Sequence, residues 1–357
     1  MRRSQNPPEH KFSKLRILVQ EGKEAPMNTH LSHIRKLTLP GAMVLFAALS
    51  FPAVRAAAAA DNAFDRTFTV SGPVHLELSN GSGSVDIRGS ADGKVHIHGK
   101  VSGSWTILGN AEKNVAEVVA NPPLEQHADV IRIGKNSSWL HNVSIEYQIE
   151  TPHGTDIDAG VASGGISVDN VSGPVKASSA SGYVHVYRVD RDVQISAASG
   201  SIDVSNVGGV LHVSSASGDI AASDIKGEVK VTAASGSIRI HKPTDRVEAS
   251  SASGSVEVEG ATNDVKVRAI SGAIKVTGDP SASHYWELKT VSGSVDLRVP
   301  SNASFLLSAE ATSGDIRTSL PVVLEEQSKH SLRAHVGSSS GRVEIHTLSG
   351  GINVRGS

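Results

Sequence analysis

Cysteine is absent from all 357 residues, aromatic side chains make up 4% of them, and methionine occurs 3 times. The first absence excludes disulfides and an amino-terminal lipid attached through a thiol. The second means that a core must be built from aliphatic side chains, because rings are too few to fill one. No apolar run reaches the ~20 residues of a membrane-spanning helix; the nearest approach is Leu37 to Phe51. There is also no surplus of positive charge, with 34 Lys and Arg against 36 Asp and Glu. Nucleic acid, which is held by clustered cations, is therefore excluded as a partner.

Glycine, at 34 residues, is plentiful and periodic. Ser-Gly pairs recur every eighteen residues, with glycines at 164, 182, 200, 218, 236, 254 and 272 and no insertion between them. A fixed period over this many copies marks a stacked repeat protein, in which each unit buries its apolar face only against its neighbours. Two residues after each glycine stand Ile166, Val184, Ile202, Ile220, Ile238, Val256 and Ile274, and an aliphatic or alanine follows two further on. Eleven and thirteen residues after the glycine the alternation repeats, as in Val193 and Ile195. Apolar residues two apart are the pattern of a strand, so each repeat holds two short strands and no helix. The fold class is all-β, a parallel β-helix or β-solenoid of about eighteen residues per coil, with right-handed winding the default for parallel crossovers.

The Ala-Ser-Gly turn, as at Ala198-Ser199-Gly200, reads as a sharp corner with its small residue facing a narrow interior and its glycine at positive φ. Ser217 and its equivalents are expected to form a ladder that hydrogen-bonds the corner backbone. The second turn is looser, with Gly173, Gly209 and Gly227 nine residues after the ladder glycine and other residues elsewhere. The strict register covers 164–272. Beyond it the spacing loosens to Ser292-Gly293, Ser313-Gly314, Ser340-Gly341 and Ser349-Gly350, and residues 273–357 read as further coils with longer loops, within a solenoid spanning 151–357. Residues 61–150 carry one isolated copy, Ser82-Gly83, among irregular strands with Trp105, Trp139 and the loop Lys135–Asn142, and read as a cap on the first coil.

Residues 1–60 form the address. Met27, the basic pair Arg35-Lys36, the apolar run and the alanine string up to 60 compose a secretory signal peptide over 27–60. Residues 1–26 read as lying upstream of the true start. Removal of 1–60 takes away nine Lys and Arg and three Asp and Glu, which leaves 25 against 33 and an acidic exported chain with no membrane span.

The run Val143–Ile149, the turn Thr151-Pro152-His153-Gly154 and the Ser-Gly-x-Ile/Val-x-Val coils resemble the bacterial toast-rack family DUF4097, whose members are labelled adhesins. The resemblance covers most of the exported chain and implies an exported, non-enzymatic β-solenoid.

The outward positions hold any site. Three residues after each glycine the column reads Ser167, His185, Asp203, Ala221, Arg239, Glu257, Lys275, changing sign and size at every step. A polysaccharide-cleaving enzyme needs clustered carboxylates, for which Asp203, Glu257 and Glu259 are the available set. Calcium is not expected, because the Gly-Gly-x-Gly-x-Asp turn is missing. His96 and His98, two apart on a strand, are half of a metal site at most. No cofactor is expected. The candidate binding surface is Tyr183, His185 and Tyr187, projecting from one strand beside Asp203, with both rings standing out from a flat polar sheet to meet a surface glycan or an envelope protein. Tyr285-Trp286, at an inserted turn, is a second candidate. The reading is an exported adhesin-like binding or structural protein of the bacterial envelope, not an enzyme. An envelope accessory protein without an external ligand is the alternative, and an enzyme carried on a β-helix comes third.

Overall fold

A computed structural model describes residues 62–103, 111–134, 143–338 and 340–357. The expected signal peptide 27–60, residues 1–26 upstream of the expected start at Met27, Trp105, Trp139 and the loop 135–142 lie outside them.

The alternation read from the repeat becomes two strands per coil, one in each of two sheets. The coil that starts at Gly182 is the strand Val184–Val189 in sheet one followed by Val193–Ser199 in sheet two. Within the strict register each strand then pairs in parallel with its equivalent eighteen residues on, Val184 with Ile202 and Val193 with Leu211. Sheet one has 14 strands and sheet two has 15 among the described residues. Aliphatic columns from both face inward as one continuous core. Burial of each Val or Ile contributes roughly 1.5–3 kcal/mol, which offsets chain ordering only because each coil is covered by the next.

The two corners differ from the sequence reading in which residue faces in. Ala198 and its equivalents point outward; the inward residue is the one before, as at Ala197, Ser215 and Ala233. Two consecutive outward residues, Ala198 and Ser199, mark where the strand bends toward the glycine. The serines do stack, as Ser82, Ser163, Ser181, Ser199, Ser217, Ser235, Ser253, Ser271, Ser292, Ser349 and Ser313. Their carbonyls, rather than their hydroxyls, satisfy the corner: the Gly200 amide donates to the Ser217 carbonyl at 3.1 Å and the Gly218 amide to Ser235 at 3.1 Å. Ser340-Gly341 is not part of this ladder, since Gly341 opens a strand opposite Phe305.

At the other corner the decisive residue sits six positions after the ladder glycine, not nine. Asn170, Arg188, Asn206, Asp224 and Lys242 all adopt φ between 49° and 62°, and Gly260 continues the column at 76°. The left-handed residue reverses the strand's phase, so that Tyr187 and Arg188 both face out and Val189 returns to the core. Left-handed backbone costs an ordinary residue roughly 1–2 kcal/mol and asparagine less. Lys242→Asn should therefore raise stability by about 1 kcal/mol, read as a melting temperature roughly 2–4 °C higher; an unchanged or lower value would show that the corner carries no such strain.

Chain order and spatial order part company at both ends. The coil made of Gly341–Ser349 and Ile352–Gly356 lies between that of Tyr285–Ser292 and Val295–Val299 and that of Phe305–Ser313 and Ile316–Thr318. At the start, His75–Ser82 and Val85–Ser90 are inserted in the same way between Asp156–Ser163 with Ile166–Val171 and Val130–Ile133 with Val143–Pro152. An inserted coil has both edges paired, which an end coil cannot have. The exposed ends are closed by antiparallel strands, Lys94–Gly103 with Ala63–Thr69 at one and the hairpin of Val322–Gln327 and Ser331–Val336 at the other. The helix Ala111–Ala120, not read from the sequence, packs against Lys94–Gly103 and buries Val118. Antiparallel closure with a bulge at Leu324/Glu326 and charges on the last strand keeps an edge from recruiting another chain.

Candidate binding surface

Outward charges that vary without apparent order along the sequence are ordered between coils. Lys176 meets Asp158 at 3.0 Å, Lys266 meets Glu248 at 3.5 Å, and Lys275 binds Glu257 and reaches Glu259 at 3.6 Å. His241 lies 3.2 Å from Glu259. Directly opposite residues on neighbouring strands attract when their charges differ, and these pairs use that attraction. Toward the other end like charges also stand opposite one another, Glu287 beside Glu344 and Arg268 beside Lys289, and there each carboxylate is answered by cations on its flanks. Burial alone would raise the Glu287 carboxyl, but Lys289 and Arg268 outweigh it and hold it below the usual range. The Lys275 hydrogen bond does the same for Glu257.

This pairing also disperses the candidate carboxylates. Asp203 lies on Ile202–Val207 and Glu257 on Val256–Ala261, three strand spacings apart in sheet one, about 14 Å. Two-carboxylate glycoside hydrolysis works at roughly 5–9.5 Å, and the three residues are not brought together. His96 and His98 share a face, yet each is turned to its own carboxylate, His96 to Asp92 at 2.9 Å and His98 to Asp65 at 2.8 Å. Among the described residues no group of three or more His, Asp or Glu is arranged to hold a metal ion.

His185 and Tyr187 leave the strand Val184–Val189, and Tyr183 the residue just before it, on the outer face of sheet one, with Val184 and Val186 in the core. Tyr183 is 44% exposed and Tyr187 41%. They are not free-standing rings. Tyr183 lies flat over the Gly165 backbone, where an added Cβ would come within 2.1 Å of it, and meets His185 edge-on at 4.9 Å. The Arg188 guanidinium sits 4.5 Å over the Tyr187 ring and is itself held by Asp169 through two hydrogen bonds, at 3.1 and 2.7 Å. The left-handed backbone at Arg188 is what turns that side chain back across its neighbour. Asp203 stands beside His185 on the adjacent strand. The four residues thus form a patch of pinned rings and polar edges.

Of the second candidate, Trp286 is fully buried and donates its indole N–H to the Asn263 carbonyl at 2.8 Å. It is a core residue and leaves the surface reading. Tyr285 stays outside and donates to Glu344 at 2.6 Å. That bond holds the Glu344 carboxyl below its usual range and, with burial, pushes the phenol up to about 12. A lowered folded-state carboxyl contributes stability above the unfolded value of ~4.3 that is lost as pH falls through the folded one. Tyr285→Phe should accordingly flatten the fall in melting temperature between about pH 5 and 3 and remove one phenol titrating near 12. An unaltered acid limb would mean that the bond does not form.

Sequence reasoning missed the outer face of sheet two. There a groove of about 1590 Å³ runs along the whole solenoid, across the strands, from Ser79 and Gly81 to Glu310 and Thr312. One wall is the outward alanine column, assigned to the interior in the sequence reading, the other is Ser178, Ser196, Ser214, Thr232 and Ser250, and between them lies the buried column of Ser179, Ala197, Ser215, Ala233 and Ser251. A smaller depression of about 590 Å³ follows the left-handed corner past Arg188, Lys226 and Lys242.

Two long parallel sheets joined into coils by a glycine ladder define a β-solenoid of the toast-rack class. The chain belongs to the Toastrack DUF4097 family, whose profile matches residues 74–264 and 213–355. No curated protein matches it. Among solved structures it is similar to a putative cell adhesion protein from Clostridium sporogenes, at 12% identity and TM-score 0.20 over 83% of this chain and 100% of that one. It is also similar to a putative lipid binding protein from Parabacteroides distasonis, at 9% identity and TM-score 0.28 over 83% of this chain and 97% of that one. Superpositions this loose transfer neither description. Among the described residues no helix is long and apolar enough to cross a membrane.

Proposed function

We propose that this protein is an exported, non-enzymatic binding protein of the bacterial envelope, adhesin-like in action, that contacts a surface glycan or an envelope protein through the patch of Tyr183, His185, Tyr187 and Asp203. The observation that carries this reading is the immobilisation of two half-exposed tyrosines at one strand by Gly165, Arg188 and Asp169. Rings already fixed lose little rotamer freedom on contact, and each offers an apolar face with a polar tip. Paired outward charges and dispersed carboxylates favour binding over acid–base chemistry. The signal segment 27–60 supports export.

A binding screen of the chain from residue 61 onward against glycans and envelope proteins should yield a ligand. Tyr183→Ala with Tyr187→Ala should weaken it at least about tenfold, or about 1.4 kcal/mol. A ligand indifferent to both changes would remove the patch. Fractionation of the producing cell tests export separately: recovery of the chain in the cytoplasm with residues 27–60 still attached would end it.

A further inference from the structure

The outer face of sheet two is complementary to itself. One column of the groove's lining takes from each rung the residue two positions before the ladder glycine. Over the half nearer the chain start that residue is alanine, from Ala162 to Ala252. Toward the other end it becomes Ile270, Val291 and Leu348, which project to solvent at 59%, 46% and 55% exposure. One half is hollow and the other half carries aliphatic knobs. A second copy of the chain has the same rung spacing, so its face stays in phase with this one along the entire groove.

We propose that the protein forms a homodimer through this face, with the two solenoid axes antiparallel about a twofold that runs parallel to the strands through the rung of Ala234. Counted by rungs, Ile270 and Ala198 are each two from Ala234, Val291 and Ala180 three, and Leu348 and Ala162 four. The twofold therefore seats each knob over an alanine of the second copy, and each contact occurs twice, as an isologous interface requires. The basic side chains beside the knobs, Arg268, Lys289 and His346, meet Ser196, Ser178 and Gly160 of the second copy by the same count, so no like charges confront one another. A lining about 50 Å long and 10 Å wide buries about 500 Å² per copy and about 1,000 Å² in all, the lower bound for a specific interface. An interface of that size belongs with weak, reversible association. Sheet one, with Tyr183 and Tyr187, then faces outward on both copies, so a polymeric ligand could be engaged twice.

The absence of cysteine makes the test clean. Sedimentation of the chain from residue 61 onward at micromolar concentrations should show a dimer, and Ile270→Asp with Leu348→Asp should convert it to a monomer with an unchanged far-ultraviolet circular dichroism spectrum. Because the twofold passes through its rung, Ala234→Cys should be joined to its own copy by a bis-maleimide of about 10 Å span far faster than Arg239→Cys on the opposite sheet. A monomeric wild type, a dimer that survives both aspartates, or equal cross-linking at the two cysteines would each overturn the proposal. A ligand that requires Tyr183 and Tyr187 but binds equally to monomer and dimer would leave the functional reading standing on its own.

Discussion

Gly218→Ala should lower stability by about 4 kcal/mol or more, a loss in the exceptional range for one methyl group. Two causes act together at this position. The backbone is at φ 126°, outside the regions open to residues with a side chain. An added Cβ would also lie 2.0 Å from the Gly200 carbonyl oxygen of the preceding rung. That oxygen belongs to main chain fixed in the ladder, so it cannot move aside without opening the stack. Two comparisons separate the causes. Gly260→Ala has a left-handed φ of 76° but no atom closer than 3.7 Å, and should cost about 1–2 kcal/mol. Gly154→Ala has open space and an ordinary φ, and should fall within about 0.5 kcal/mol of zero. Urea unfolding followed by circular dichroism reads all three. Equal effects at 218 and 154 would refute the account of the ladder. Because each coil rests only on its neighbours, the damage at 218 should also expose amides on both sides to hydrogen exchange.

Trp286→Ala should cost about 3–5 kcal/mol, the range for removing a large buried ring. The residue is 0% exposed and is the largest of the fully buried side chains among the described residues. Its removal leaves a cavity and strips the Asn263 carbonyl of the indole N–H at 2.8 Å. Trp286→Phe keeps most of the volume and should lose about 1 kcal/mol for the hydrogen bond plus a smaller cavity term. If alanine cost no more than phenylalanine, the side chain would have to lie outside the core.

These two positions show how far the sequence could be read. The glycine ladder was legible because its cause is local and periodic: the same φ and the same close approach recur at every rung, so the same residue recurs. Trp286 was misplaced because the insertion of three residues after Gly272 breaks a register counted forward. Counted backward, it lies seven residues before Gly293 and falls into the inward column of Val193, Leu211 and Val265. The left-handed corner also carried a signal, in the Asn170, Asn206, Asp224 and Gly260 column, since these residue types tolerate positive φ best. Arg188 and Lys242 hid it. The alanine of Ala-Ser-Gly was placed inward on size alone, although a small residue fits a concave outer face equally well.

The patch on sheet one was half legible. Alternation puts Tyr183, His185 and Tyr187 outside with certainty of phase, but their fixation depends on Gly165, Asp169 and the turned-back Arg188, which are neighbours only after the coils stack.

The sequence by itself determined the coil, its eighteen-residue length and the aliphatic columns at its centre, because these follow from side-chain periodicity within one repeat. Only the tertiary structure decided the order of the end coils, the pairing of outward charges and the groove on sheet two. Each of those depends on which rung lies beside which, and that is fixed by edge pairing and closure of the stack rather than by any residue's own preference.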